Sequence, residues 1–121
     1  MIAEDDDAMR RFLEVALKRA DFETVSARDG AEALEIALNN EIDAVVTDAV
    51  MPNLTGFDLI RILRQNREKS GLPIILLTGF DQSVEETEES ISPDAYLIKG
   101  KDLKELLIAT LMELLFQKGK N

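Results

Sequence analysis

Apolar residues recur along the chain with two periods, one typical of helices and one typical of short buried strands. The apolar runs predict five strands, at Met1–Ala3, Phe22–Ala27, Ala44–Thr47, Ile74–Leu77 and Ala95–Ile98. Helical spacing spans residues 9–20, 33–38, 57–63, 81–91 and 103–116, with Asp6 or Asp7 and Asp102 as candidate helix caps. Strands that alternate with helices favour a parallel α/β sheet with helices on both faces and right-handed crossovers.

The predicted first strand is unusually short. Only Met1–Ala3 precede a run of acids, whereas strands usually have about five or six residues. We expect either a clipped strand or one whose upstream residues lie outside this sequence, at a cost in stability. The 121 residues suit one domain, spanning 1–121.

Polar side chains follow four of the five predicted strands. Glu4 and Asp5 follow the first strand, Asp48 the third, Thr78 the fourth and Lys99 the fifth. Because ligands of parallel sheets bind beyond the carboxyl ends of the strands, we expect these side chains to converge. Carboxylates suit Mg²⁺, and a hydroxyl with a lysine suits a phosphoryl group. The sequence predicts a metal-assisted phosphoryl site with one carboxylate as nucleophile.

Each of these residues also has an ordinary structural interpretation. Acids after the first strand suit helix capping, and Asp48 could simply begin a turn. Taken alone, Thr78 is an ordinary hydroxyl at the end of a strand, and Lys99 is an ordinary solvated base on the surface. Their joint placement at the ends of four strands favours the site.

The amino-acid composition argues against several kinds of binding partner and reactive group. The chain has 14 basic and 24 acidic residues, so its formal net charge is −10, which disfavours direct binding to nucleic acid or anionic membranes. The absence of Cys excludes disulfides and thiolate sites, and the absence of His removes the commonest general base and any phosphohistidine. With no signal-like start and no apolar stretch of membrane-spanning length, we expect a cytoplasmic protein.

Five ordered motifs make the chain resemble the receiver domain of two-component response regulators, the family that includes the single-domain chemotaxis regulator. The motifs lie at Ile2–Asp6, Ala27–Leu34, Asp43–Gly56, Pro73–Gly79 and Asp94–Lys99. The resemblance covers nearly all of the chain. It implies a flavodoxin-like, doubly wound, five-stranded parallel sheet with strand order 2-1-3-4-5.

The resemblance also implies a phosphoacceptor and a metal site. Asp48 would accept a phosphoryl group from a histidine kinase or a phosphotransfer protein. Mg²⁺ would be held by Glu4, Asp5, Asp48 and the backbone carbonyl of Val50. The protein would therefore be a self-phosphorylating signalling switch and not an enzyme with an external product.

Further roles follow from the same resemblance. Thr78 and Lys99 would bind the phosphoryl group, and movement of Thr78 would be coupled to Tyr96. That coupling would reposition the face made by the predicted fourth helix, the fifth strand and the last helix. On the last helix, we expect five leucines to face the sheet, namely Leu103, Leu106, Leu107, Leu111 and Leu114. Apolar residues on the flank of this helix, such as Met112 and Phe116, favour a homodimer or partner contact there.

The chain departs from the family pattern at four positions. Gly100 stands where a cis proline usually follows the lysine, and Thr55 stands where an acid is common. Because glycine does not enforce a cis bond, the loop at Lys99 is expected to be either looser or trans. Val50 and Phe80 occupy positions that flank the path of the hydrolytic water. Because neither side chain can orient a water, we expect slow autodephosphorylation.

Three further functions remain as alternatives. A receiver-like interaction or dimerisation module would act without phosphorylation. A small Mg²⁺-dependent phosphohydrolase would need a second acid two residues after Asp48, where Val50 stands. Flavin binding is disfavoured because no phosphate loop rich in Ser or Thr follows the first strand.

Overall fold

The computed structural model describes residues 1–79 and 92–119, and within them nine elements of regular structure. The strands are β1 (Ile2–Ala3), β2 (Ser26–Ala27), β3 (Val45–Asp48), β4 (Ile74–Thr78) and β5 (Ala95–Ile98). The helices are α1 (Asp7–Arg19), α2 (Gly30–Asn39), α3 (Gly56–Gln65) and α4 (Leu103–Gly119). The predicted helix at 81–91 and the predicted site residue Phe80 lie outside the described residues.

The five strands form one parallel sheet in the order β2-β1-β3-β4-β5. This confirms the predicted flavodoxin-like sheet, with the second strand at an edge. The second strand is shorter than predicted, because only the last two residues of the segment Phe22–Ala27 pair with β1. The first strand also pairs through two residues only, since acids follow Ala3 directly.

The sheet has a separate apolar core on each face. Alternation along the strands sends Ile2, Val46 and Ile75 toward α1 and α4. The residues next to them point the other way and pack against α2 and α3. The central strands β3 and β4 are therefore buried on both faces, as continuous apolar runs in a parallel sheet predict.

Side-chain caps begin three of the helices. Asp6 accepts a hydrogen bond from the amide of Met9 at 2.7 Å, which confirms it as the cap of α1. Asp29 caps α2 through the amide of Glu32, and Thr55 caps α3 through the amide of Asp58. Thr55, one of the departures from the family pattern, thus has a structural role of its own.

The last helix differs from the prediction in length and in its exposed face. It continues to Gly119, three residues beyond the predicted end at Phe116. Leu103, Leu107 and Leu111 face the sheet, but Leu106 is 48% exposed, so the expectation that it also faces the sheet is wrong. Leu106 precedes Leu107, and one residue turns the helix by about 100°, which carries its side chain off the buried stripe.

Arg64 joins three segments at the amino end of the sheet. Its guanidinium donates to the carbonyls of Ser70, Leu72 and Ser92 and pairs with the carboxylate of Asp94 at 2.9 Å. Asp94 also accepts a hydrogen bond from the amide that begins β4, at 2.7 Å. This network connects the end of α3 to the starts of β4 and β5.

Gly56 lies where the backbone of α3 meets the end of β3. Its amide donates to the carbonyl of Ala49 at 2.9 Å. A Cβ atom built on Gly56 would lie 2.0 Å from the carbonyl oxygen of Asp48, and backbone atoms cannot move aside as a flexible side chain would. Glycine is required here by close packing.

We therefore expect Gly56→Ala to lower the free energy of unfolding by about 1–3 kcal/mol, because the added methyl group overpacks the junction of β3 and α3. Gly71→Ala is the matched control, since no atom lies within 4 Å of a Cβ built there. Urea unfolding of both variants measures the difference. Equal stability of Gly56→Ala and wild type would contradict this close approach.

Candidate functional site

The polar residues singled out in the sequence lie together at the carboxyl edge of the sheet. Glu4 directly follows β1, Asp48 ends β3, Thr78 ends β4 and Lys99 directly follows β5. Parallel pairing places the ends of these strands side by side, with Asp48 opposite Leu77 in the register. The topology thus brings together residues that are up to 95 positions apart in the chain.

Three carboxylates crowd the centre of this edge. One oxygen atom from each of Glu4, Asp5 and Asp48 lies within 4.8 Å of the other two. Glu4 is fully buried and Asp48 nearly so, whereas Asp5 is exposed. The cluster is therefore open to solvent on the side of Asp5.

Lys99 lies between the two buried acids. Its Nζ is 3.0 Å from Asp48 Oδ1 and 3.2 Å from Glu4 Oε2. Burial alone would lower the pKa of Lys99, but the hydrogen bond and charge of Asp48, together with Glu4, outweigh that effect and raise the pKa. Lys99 is therefore a permanent cation in the cluster.

The surroundings of Glu4 make its ionised form less favourable. Burial, and then the nearby charge of Asp48, raise the pKa of Glu4 from 4.5 to about 7, although Lys99 acts in the opposite direction. One ammonium group does not compensate three carboxylates. A divalent cation bound among them would supply the missing charge.

The two oxygens of Asp48 have different surroundings. Oδ1 accepts a hydrogen bond from the amide of Ala49 at 2.9 Å and also faces Lys99. Among the described residues, no hydrogen bond reaches Oδ2. The carboxylate is thus oriented through one oxygen while the other remains open to a reacting group.

Thr78 Oγ1 is buried and has no hydrogen-bond partner among the described residues. Glu4 Oε2 is also buried, but it forms an ion pair with Lys99 at 3.2 Å. Buried polar atoms are nearly always hydrogen-bonded in folded proteins, so the Thr78 hydroxyl indicates a place for a further group. The carboxylates are oxygen ligands of the kind that a hard cation takes, and the Thr78 hydroxyl and the Lys99 ammonium can donate hydrogen bonds to phosphoryl oxygens. The residues fit both groups.

The loop after β3 is held from the neighbouring α2. Asn53 has a positive φ of 70°, and its side-chain amide donates to Asp29 Oδ2 at 3.0 Å. A Cβ on Gly30 would lie 1.9 Å from the carbonyl oxygen of Leu54, so the loop rests directly on the start of α2. This contact fixes the segment that contains Val50.

Two further predictions concern β5 and the bond after it. Tyr96 lies on β5 and is 36% exposed, and it pairs in register with Leu76, two residues before Thr78. The described residues include no cis peptide bond, so the bond between Lys99 and Gly100 is trans, as expected for a residue other than proline. Lys99 reaches the acids in this trans arrangement.

Sequence reasoning missed Arg10. Its guanidinium donates to the carbonyl of Glu4 at 3.0 Å and forms an ion pair with Asp7. It therefore clamps the loop that presents Glu4 and Asp5. The available signal was its position four residues after Asp6, the helix cap, which returns the side chain to the same face of α1.

The comparisons with known proteins agree on one family. The family model described as response regulator receiver domain matches residues 1–111. The chain belongs to the response regulator receiver domain family. Receivers of this family are signalling switches of two-component systems, they interact with histidine kinases, and phosphorylation is their general function.

Individual relatives support the same assignment. The chain is 31% identical over 122 residues to the response regulator ArlR of Staphylococcus saprophyticus, covering all of this chain and 54% of that protein. It is 39% identical over 109 residues to the response regulator MprA of a Mycobacterium species, covering 88% of this chain and 46% of that protein. The receiver thus spans about half the length of the curated relatives that it matches.

A solved structure shows the same fold. The signal receiver domain of a signal transduction histidine kinase from Syntrophus aciditrophicus superposes with a TM-score of 0.88 at 25% identity, covering 96% of this chain and 88% of that one. In the part of the receiver that the structure describes, no helix is both long and apolar enough to cross a membrane.

The raised pKa of Glu4 predicts a pH dependence of stability in the metal-free receiver. Because the folded state binds this proton more tightly than the unfolded state, the contribution is fully present below about pH 4.5 and is lost as the pH rises through about 7. The shift corresponds to about 3 kcal/mol at most. We expect Glu4→Gln to remove this component.

Urea unfolding between pH 5 and pH 8 with excess chelator measures it, as the difference in slope between wild type and Glu4→Gln. Glu35→Gln, at an exposed position on α2, controls for the general loss of one acid. The same slope in wild type and Glu4→Gln would show that Glu4 titrates normally.

Proposed function

We propose that this receiver accepts a phosphoryl group on Asp48 from a histidine kinase or a phosphotransfer protein. The observation that carries the proposal is the asymmetry of the Asp48 carboxylate, whose Oδ1 is held by Ala49 and Lys99 while Oδ2 is free of hydrogen bonds among the described residues. A carboxylate held in this way presents one oxygen as a nucleophile. Because the chain has no His, it accepts phosphoryl groups and donates none as phosphohistidine.

In the proposed step, Asp48 Oδ2 attacks the phosphorus atom of the donor. A bond forms between Oδ2 and phosphorus, and the bond between phosphorus and the donor atom breaks. That atom is the imidazole nitrogen of a phosphohistidine, or the acyl-phosphate oxygen of a small donor, and it leaves with the electron pair. Asp48 would react as its carboxylate, whose Oδ1 lies 3.0 Å from the ammonium of Lys99.

Glu4, Asp5, Asp48 and the backbone carbonyl of Val50 are the residues that would hold Mg²⁺. When bound, Mg²⁺ neutralises the crowded carboxylates and the charge on the transferring phosphoryl oxygens. The clustering of the three carboxylates, which the single charge of Lys99 does not compensate, supports this assignment. The exposed Asp5 marks the side from which the cation would enter.

Thr78 and Lys99 would bind the phosphoryl group after transfer. Within residues 1–79 and 92–119, the buried Thr78 Oγ1 has no hydrogen-bond partner, so its donor at the end of β4 is unused there. Lys99 already lies 3.0 Å from Asp48 and would pair with the new phosphoryl oxygens. A hydroxyl and an ammonium on adjacent strands thus flank the reacting carboxylate.

Phosphorylation would switch the surface that includes β5 and α4. Movement of Thr78 toward the phosphoryl group would be coupled to Tyr96 on the neighbouring strand. Exposed apolar side chains on this side, including Ile98, Met112 and Phe116, support a homodimer or partner contact there. We expect this action in the cytoplasm and, given the net charge of −10, without direct contact to nucleic acid or membranes.

The phosphoacceptor is tested by intact mass after incubation with Mg²⁺ and acetyl phosphate. Wild type should gain about 80 Da, the mass of one phosphoryl group, and Asp48→Asn should gain nothing because an amide is not a nucleophile at this site. Asp43→Asn is the matched control, since Asp43 is an exposed acid before β3 and should leave the gain unchanged.

An adduct on Asp48→Asn would contradict the assignment of Asp48. No adduct on folded wild type, from either acetyl phosphate or a histidine kinase, would favour the alternative of an interaction module that acts without phosphorylation. Binding of beryllofluoride by that protein would show that the site still accepts a phosphoryl analogue.

The phosphoryl group should persist on this receiver, because Val50 and Phe80 cannot orient a hydrolytic water. The Val50 side chain, 56% exposed beside the site, offers only methyl groups. Phe80 is placed by its sequence position, two residues after Thr78.

We expect Phe80→Glu to speed the loss of the phosphoryl group at least several-fold, because a carboxylate there can orient the attacking water. Phe80→Leu keeps the position apolar and should retain the slow rate. The measurement follows decay of the mass adduct after the donor is removed. Fast decay in wild type that Phe80→Glu does not alter would refute this account.

A further inference from the structure

Thr47 is a fully buried polar residue on the central strand β3, directly before Asp48. Its neighbours in the strand register are Ala3 of β1 and Leu76 of β4, which belong to the apolar core that packs against α2 and α3. A hydroxyl in such surroundings is costly unless it is hydrogen-bonded. The bond that this hydroxyl makes therefore indicates what Thr47 does.

The Thr47 hydroxyl donates to the backbone carbonyl of Asp48 at 3.0 Å. In an apolar core such a bond is stronger than it would be in water. The same carbonyl oxygen also meets α3, since a Cβ on Gly56 would lie 2.0 Å from it. The carbonyl is thus held by a hydrogen bond and by close packing.

This carbonyl belongs to the peptide unit that joins Asp48 to Ala49, and a peptide unit is nearly planar and stiff. The amide of the same unit donates to Asp48 Oδ1 at 2.9 Å and to the carbonyl of Leu77 at 3.0 Å. Any tilt of the plane moves the carbonyl and the amide together. The Thr47 hydroxyl therefore acts on the carboxylate of Asp48 through one stiff unit.

The carboxylate of an aspartate needs such contacts, because its terminal torsion has no sharp preference of its own. Asp48 Oδ1 has two of them, the amide of Ala49 and the ammonium of Lys99. In the proposed transfer Lys99 pairs with the phosphoryl oxygens, and the Ala49 amide is then the contact that still orients Oδ1. The plane that carries this amide has to be held by other groups.

We propose that Thr47 is a positioning residue for phosphoryl transfer. Its hydroxyl fixes the plane of the peptide between Asp48 and Ala49, and that plane directs Asp48 Oδ2 toward the phosphoryl donor. The inference rests on the proposed function, because it concerns the same carboxylate. Thr47 is buried and touches neither the donor nor the transferred group, so its effect lies in the orientation of the nucleophile.

The first test compares rates of phosphorylation, measured as mass gain with acetyl phosphate and excess Mg²⁺. Thr47→Val removes the hydroxyl and keeps the branched shape, whereas Thr47→Ser keeps the hydroxyl. We expect Thr47→Val to be at least about fivefold slower than wild type and Thr47→Ser to stay within about twofold. Thr110→Val, at a half-buried position on α4, is the matched control and should leave the rate unchanged.

The second test measures the distance between the Ala49 nitrogen and Asp48 Oδ1 in crystal structures of the variants. It should stay near 2.9 Å in Thr47→Ser and exceed about 3.5 Å in Thr47→Val, where the hydrogen bond is lost. This distance is independent of phosphoryl transfer. If wild type gains no mass from any donor, the proposed function fails, and the distance still decides whether Thr47 orients the carboxylate.

Three results would overturn the role of Thr47. One is the same rate in Thr47→Val and wild type, and another is an unchanged distance in Thr47→Val. The third is a Thr47→Ser variant that is as slow as Thr47→Val, which would assign the effect to packing of the methyl group. If Thr47→Val does not fold by urea unfolding, Thr47→Ala and Thr47→Ser differ by the hydroxyl alone and give the same comparison.

Discussion

Repulsion among carboxylates at one edge of a parallel sheet is the constraint on which the rest of this structure depends. Glu4, Asp5 and Asp48 converge because their strands run in the same direction and pair side by side. Lys99 offsets part of the repulsion, but burial and then the charge of Asp48 still raise the pKa of Glu4 to about 7. Crowded carboxylates of this kind are the oxygen ligands that hard divalent cations take, and this charge imbalance is the physical basis of the proposed cation and phosphoryl site.

Several contacts around this edge hold the backbone segments that carry the charged side chains. Arg10 clamps the loop that carries the acid pair, and Gly56 allows α3 to meet the carbonyl of Asp48. Asn53 and the start of α2 fix the loop after β3. None of these contacts involves a carboxylate oxygen of Asp48, and among the described residues its Oδ2 receives no hydrogen bond.

The two ends of β1 have different surroundings. At its carboxyl end, only two paired residues position the acids of the site. At its amino end, the same short strand borders a groove of about 570 Å³ whose lining includes Leu17, Leu111 and Leu115.

By itself, the sequence determined the order of the five strands and of the four helices within the described residues, and the two buried central strands. It also indicated a cap at Asp6 or Asp7 and the polar residues that follow four of the strands. These features depend on neighbours in the chain, and local periodicity and capping report them directly. The family motifs also singled out Glu4, Asp48, Thr78 and Lys99 before any geometry was known. The sequence did not predict that one oxygen of Asp48 contacts both the Ala49 amide and Lys99.

Only the tertiary structure decided the contacts between distant segments. It brought Lys99 to Glu4 across 95 positions, joined Arg64 to Asp94, exposed Leu106 and opened the groove beside Met1. Each of these depends on strand register and on how helices rotate against the sheet. A period of two or of 3.6 residues describes which face of an element is apolar, but it contains no information about which distant residue that face will meet.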